Sequence, residues 1–141
     1  MQSVCWQLPL GACPAIKQLH MGSLHPVQPV ERYRLDRFWC LNLYHGHGEL
    51  RIGEERYAFR PGYASITMPD MDLEYRFRGT SVVRWAHFYP SGASPVAAIP
   101  VMQDLGKDFP RIRDELAEAA MHWRFCQVRA EARLWDLLWE L

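Results

Sequence analysis

Three kinds of side chain in this sequence could do chemistry: histidines set close together, arginines beside strands, and aromatics near both. His45-Gly46-His47 has the spacing of a two-histidine metal grip, since residues i and i+2 of a strand point the same way. The flanking Gly46 and Gly48 make a turn, and no third histidine or carboxylate follows at a completing distance, so both read as turn histidines. His87 lies in Trp85-Ala86-His87-Phe88-Tyr89, where alternation puts Trp85, His87 and Tyr89 on one face and Ala86 and Phe88 on the other. One of those faces is core and the other can line a cavity. Arg32, Arg34 and Arg37 precede the first long strand; Arg32 and Arg34 share a face if that stretch is extended. An inward guanidinium would hold a carboxylate or a sugar hydroxyl through its planar fork of donors. Trp39, Tyr75 and Trp85 would stack on a sugar ring or an apolar ligand. The chemistry implied is reversible binding of a small effector, a sugar or small carboxylate. No nucleophile elbow, phosphate-binding loop or dinucleotide fingerprint is present, so no catalytic residue is assigned and the chain reads as a non-enzyme.

The elements that position these residues change character along the chain. From Gln18 to Val101 short strands alternate with turns. Trp39-Cys40-Leu41-Asn42-Leu43-Tyr44 is a β-prone run. Leu50 and Ile52 alternate with Glu49 and Arg51, Gly53-Glu54 turns, and Tyr57 and Phe59 alternate with Arg56 and Arg60. Pro61-Gly62, Pro69-Asp70 and Gly79 punctuate further strands over Ala64–Met68, Leu73–Arg78 and Ser81–Tyr89; Ala98–Val101 can close the sheet. Short strands at this spacing predict an antiparallel sandwich or small barrel. Residues 1–16, with Pro9, Gly11 and Pro14, read as an N-terminal arm, residues 17–104 as the barrel, and 105–141 as helical.

In that last segment Ile112, Leu116, Ala119, Ala120 and Trp123 fall at helical spacing, with Asp108 as N-cap and Pro110 in the first turn. After a break near Arg124–Gln127, Ala130, Leu134, Leu137, Leu138 and Leu141 make a second stripe, unless the two are one bent helix. The stripe runs into Leu141 with no C-cap, which suggests that the natural protein continues.

The 141 residues are 49% hydrophobic and carry 18 aromatics, enough to exclude a disordered chain and to build one core. Sixteen basic residues, fourteen of them arginine, balance sixteen acidic ones, which argues against general nucleic-acid binding by this segment. Four scattered cysteines, no secretory signal and no long apolar run fit a reduced, cytoplasmic protein away from membranes.

Leu41-Asn42-Leu43-Tyr44, Gly46-His47-Gly48, Tyr57-Ala58-Phe59-Arg60-Pro61-Gly62, Met68-Pro69, Tyr75 and Trp85-Ala86-His87-Phe88, in that order, resemble the N-terminal sensor domain of AraC-family transcription regulators. The resemblance implies a mainly β fold with C-terminal α: a cupin-like double-stranded β-helix (jelly-roll) barrel followed by one or two amphipathic dimerisation helices. It implies a homodimer through Ile112, Leu116, Trp123, Leu134 and Leu138, and DNA contact only through helix-turn-helix units beyond residue 141. In sugar-responsive members, Tyr75 and Trp85 match sugar-contacting aromatics and one of Arg32, Arg34 or Arg37 matches a sugar-contacting arginine. A sugar-contacting histidine becomes Val83 here. Enzymatic cupins, such as sugar isomerases or metal-dependent oxygenases, resemble the barrel pattern too. Their ligand positions fall near Leu41, Arg34–Asp36 and Leu73 or Glu74, which implies neither metal nor organic cofactor. A ligand-free structural barrel is the remaining alternative.

Overall fold

The computed structural model describes residues 4–141. Among them, eleven strands precede two helices: β1 (Cys5–Pro9), β2 (Ala12–His25), β3 (Glu31–Arg34), β4 (Trp39–Tyr44), β5 (His47–Ile52), β6 (Glu55–Phe59), β7 (Tyr63–Thr67), β8 (Asp72–Arg78), β9 (Ser81–Ser91), β10 (Val96–Pro100), β11 (Met102–Asp104), α1 (Phe109–Trp123) and α2 (Gln127–Trp139). The turns sit where the punctuation puts them. Gly53 and Gly62 take φ of 62° and 95°, left-handed values at which a β-carbon is strained.

All pairing is antiparallel. One sheet has the order β11-β7-β4-β9-β2, a second β3-β8-β5-β6, and β1 pairs with β10 alone. None of the three closes on itself. Strand β4, central in the first sheet, is buried along its whole length and splits its side chains by period two. Trp39, Leu41 and Leu43 join a core shared with Ala86, Phe88 and the helices. Cys40 and Tyr44 join a second core with Leu50, Phe59, Leu73 and Tyr75 of the other sheet. The first sheet is thus covered by helices on one face and by the second sheet on the other.

Residues 4–16 are not a free arm. Residues 1–3 lie outside the described residues, but β1 and the start of β2 occupy most of the remainder, and Leu8, Leu10 and Ile16 are buried. The segment is tied down at three points. Trp6 Nε1 donates to the Ile66 carbonyl at 2.7 Å, Trp135 Nε1 to the Leu10 carbonyl at 2.9 Å, and the Ile16 amide to Glu131 at 2.7 Å. Its prolines are tolerated because Pro9 ends β1 and Pro14 falls in the register shift between Ala12 and Ala15, where no regular ladder bond is lost. The closing strand is Val96–Pro100, and it pairs with β1 and not with the main sheets.

The helices are two, separated at Arg124–Cys126. Pro110 stands in the first turn of α1; Asp108 precedes it as N-cap but makes no side-chain cap bond, lying 3.7 Å from Arg111 instead. Ile112, Leu116, Leu134 and Leu138 are at most 1% exposed within the single chain, and Trp123 packs against the same core. The stripe expected to meet a second copy is spent on this chain's own sheet, because a helix over an apolar sheet face must bury its apolar stripe there. Ile112, Leu116, Leu134 and Leu138 are therefore corrected from interface to core, while Trp123 stays partly exposed at its edge. Among the described residues, no helix is long and apolar enough to cross a membrane.

Candidate functional site

Between the two sheets the second core is incomplete and leaves a cavity of about 270 Å³. That is just below the ~300–1,000 Å³ of pockets for drug-sized ligands, so it admits a single ring with a short substituent. Strands β2, β3, β4, β8 and β9 all contribute to its wall.

One wall is aromatic. Trp85 and His87, two apart on β9, face inward together while Ala86 and Phe88 face the helices. The Trp85 and His87 rings stack with centroids 4.1 Å apart, and His87 also meets Phe38 at 4.5 Å. Tyr75 and Phe77, one register step apart on β8, stack at 6.0 Å, and Tyr33 meets Tyr75 edge-on at 5.9 Å. Burial, with Lys17 nearby, lowers the His87 imidazole to about 4, so it is neutral at pH 7. Its ring nitrogens make no hydrogen bond within the described residues, which leaves them for a ligand.

The opposite wall carries a chain of hydrogen bonds. Trp85 Nε1 donates to Ser23 Oγ at 3.2 Å, and Ser23 Oγ lies 2.8 Å from His25 Nε2. His25 Nδ1 contacts both oxygens of Glu31, at 3.0 Å to Oε2. Glu31 is 5% exposed and accepts two more bonds, from the Val27 amide at 3.1 Å and the Tyr33 hydroxyl at 2.9 Å. Burial first and the Glu31 carboxylate second push the Tyr33 phenol up to about 12, so it remains a donor. The Ser23 hydroxyl also reaches the Val83 carbonyl at 3.5 Å, so the chain closes whether Ser23 donates to His25 Nε2 or accepts from it. That order of serine, histidine and carboxylate is the order of a nucleophile relay. Here one lone pair of Ser23 Oγ is already taken by Trp85, and the chain of bonds ties β2 to β3 and β9 along the wall.

A second polar cluster closes the floor. Asn42 Nδ2 donates to the Tyr75 hydroxyl at 3.1 Å, Cys40 Sγ to Asn42 Oδ1 at 3.4 Å, and the Tyr44 and Ser65 hydroxyls hydrogen-bond across 2.6 Å. Burial drives Tyr75, Tyr44 and Cys40 upward, so all three stay protonated at pH 7.

Of the residues expected to bind, the structure brings Tyr75, Trp85 and His87 together on the cavity and leaves the others outside it. Trp39 belongs to the helix-facing core, because it shares parity with Leu41 and Leu43. Arg32 and Arg34 do share a face, but it is the outer one, where they pair with Glu74 at 3.2 Å and Asp72 at 2.9 Å. The inward positions of that stretch are Glu31, Tyr33 and Leu35. Arg37 sits at a left-handed turn with φ of 67°, its side chain 87% exposed. His45 accepts from Arg84 Nε at 3.0 Å and is lowered by burial and by Arg84, while His47 is exposed. No three His, Cys, Asp or Glu among the described residues converge on a point.

Ser23, His25, Glu31 and Asn42 escaped the sequence reading. Asn42 carried a signal, as the one amide in the apolar run Trp39–Tyr44; a polar residue there must find a buried partner. Neither a protein-family model nor a curated protein matches this chain.

Proposed function

We propose that this chain is the effector-sensing domain of an AraC-type transcription regulator, built on a cupin-like jelly-roll barrel. The strand order supports the fold. Between β2 and β9, consecutive strands alternate between the two sheets except at the β5–β6 hairpin, as in a jelly roll folded from two Greek keys. The observation that carries the function is the cavity: five strands of both sheets converge on it, with an aromatic wall and a hydrogen-bonded polar wall. A core meant only for stability would fill that space, since each void costs contacts.

In this reading the effector works by binding one arrangement of the domain better than another. β2 is the element placed to transmit the difference. Its Ser23 and His25 line the cavity, while Leu19 and Ile16 pack in the core that holds α1 and α2. Sequence-specific DNA binding belongs to helix-turn-helix units following residue 141. Homodimerisation is part of the same proposal, through surfaces other than the buried Ile112, Leu116, Leu134 and Leu138.

A thermal-shift screen against sugars, small carboxylates, amines and divalent metals tests it. A ligand at a hundred times its Kd stabilises by ~2.7 kcal/mol, which is ~5–10 °C for a chain of this size. The shift is expected from one organic class and is lost in Trp85→Ala and Tyr75→Ala. A shift from metals alone, or silence from the whole library, overturns the sensor.

A further inference from the structure

The cavity's charge chooses among effector classes more sharply than its shape. Among the described residues no lysine or arginine lines it; the ionisable side chains there are Glu31, His25 and His87 with the phenols and the thiol. His87 is neutral at pH 7, and among the described lining residues Glu31 alone carries a carboxylate. Glu31 brings a carboxylate into an aromatic box, held there by His25, the Val27 amide and the Tyr33 hydroxyl. An anionic effector would meet repulsion and lose its water without compensation. A cation would be drawn by the carboxylate and by the faces of Trp85, Tyr75 and Phe77.

We infer that the effector is a small organic cation, an amine or quaternary ammonium on or beside one aromatic ring, with the charge held at Glu31. This rests on the effector-site reading above and reverses the sugar-or-carboxylate expectation, whose arginine partners lie on the outer surface. Of the two side chains donating to Glu31, Tyr33 is the looser, 44% exposed against 14% for the His25 side chain. The ligand ammonium takes the place of the Tyr33 hydroxyl on Oε1, while His25 and the Val27 amide keep the carboxylate aimed.

The probes are three molecules of one shape: 2-phenylethylamine, 2-phenylethanol and phenylacetate, cation, neutral and anion at pH 7. Titration calorimetry on the chain as it stands is expected to rank the amine at least about tenfold tighter than the alcohol, with phenylacetate weakest. Glu31→Gln brings the amine and alcohol within about twofold while leaving alcohol binding in place. If Glu31→Gln fails to fold, the three-probe ranking on the unaltered chain decides alone. Equal binding of amine and alcohol, or tighter binding of phenylacetate, overturns the charge inference but leaves a sensing cavity. Silence of all three overturns it as well. The sensing reading then stands if any other compound gives a thermal shift that Trp85→Ala abolishes, and falls if none does.

Discussion

On β4 the side chains of Trp39, Leu41 and Leu43 meet the helices, while Cys40, Asn42 and Tyr44 meet the opposite sheet. The strand is equally buried on both sides, yet the helix side is continuous hydrocarbon and the sheet side holds an amide, a phenol, a thiol and a void. β9 repeats the contrast, with Ala86 and Phe88 on one side and Trp85 and His87 on the other. Burial alone therefore does not distinguish the two faces of this sheet. What separates the two faces is whether the buried group also needs a polar partner: the helix side gains from close packing, and the polar groups of the sheet side bond one another.

The largest effects should come from breaking the dry face. Leu134→Ala is expected to cost ~2–5 kcal/mol and Trp39→Ala ~3–5 kcal/mol, each leaving a hole in hydrocarbon. Trp85→Ala opens a site that already borders a void and should cost clearly less than Trp39→Ala. Urea unfolding of the three variants measures the order. Size-exclusion chromatography with light scattering should show folded Leu134→Ala in the same oligomeric state as the parent chain, since Leu134 is fully buried in its own core. If Trp85→Ala proves the costlier tryptophan, or Leu134→Ala changes the assembly while still folded, the distinction between the two faces collapses.

The sequence already carried much of this arrangement. Turns at Gly53, Pro61-Gly62, Pro69-Asp70 and Gly79 bound strands whose period is two, and the split of Trp85 and His87 from Ala86 and Phe88 follows from that period. Period two says which residues travel together but not which set points inward. Arg32 and Arg34 travel together outward, and their neighbours Glu31 and Tyr33 make the site. Trp39 went with Leu41 and Leu43 for the same reason. In the helices the apolar stripe was plain, but a stripe does not say whether its partner is a second chain or a sheet of the same one. Ser23, His25 and Glu31 depend on contacts across the bend between β2 and β3, which no local pattern encodes.

An intermediate effect should come from pH. His87 has an ordinary value of 6.5 when free and about 4 in the fold, held down first by burial and then by Lys17. Between those two values the unfolded chain binds a proton that the folded chain refuses, so the folded state loses ground as pH falls and regains it as pH rises. Above about 6.5 the group contributes no slope, and below about 4 both states carry the proton. His87 is only partly buried, so the cost is softened by solvent. Melting curves from pH 7 to pH 4 should show a decline in the midpoint that His87→Gln flattens. An unchanged slope in the variant would mean that other groups on the cavity face carry the acid sensitivity.

The smallest effect sharpens the comparison at the rim. Arg32→Ala and Arg34→Ala each remove an ion pair whose arginine side chain is 71% and 58% exposed, and such pairs are screened and entropically costly to hold. Their melting midpoints should stay within the scatter of the parent chain. The affinity for 2-phenylethylamine should also be unchanged, whereas Glu31→Gln, one residue away on the same strand, should remove the preference for it. Ligand affinity that tracked the arginines and ignored Glu31 would place the binding face on the outside of β3. The shallow groove formed there by Arg32, Arg34, Arg51 and Asp72 would then become the site, and the effector an anion after all.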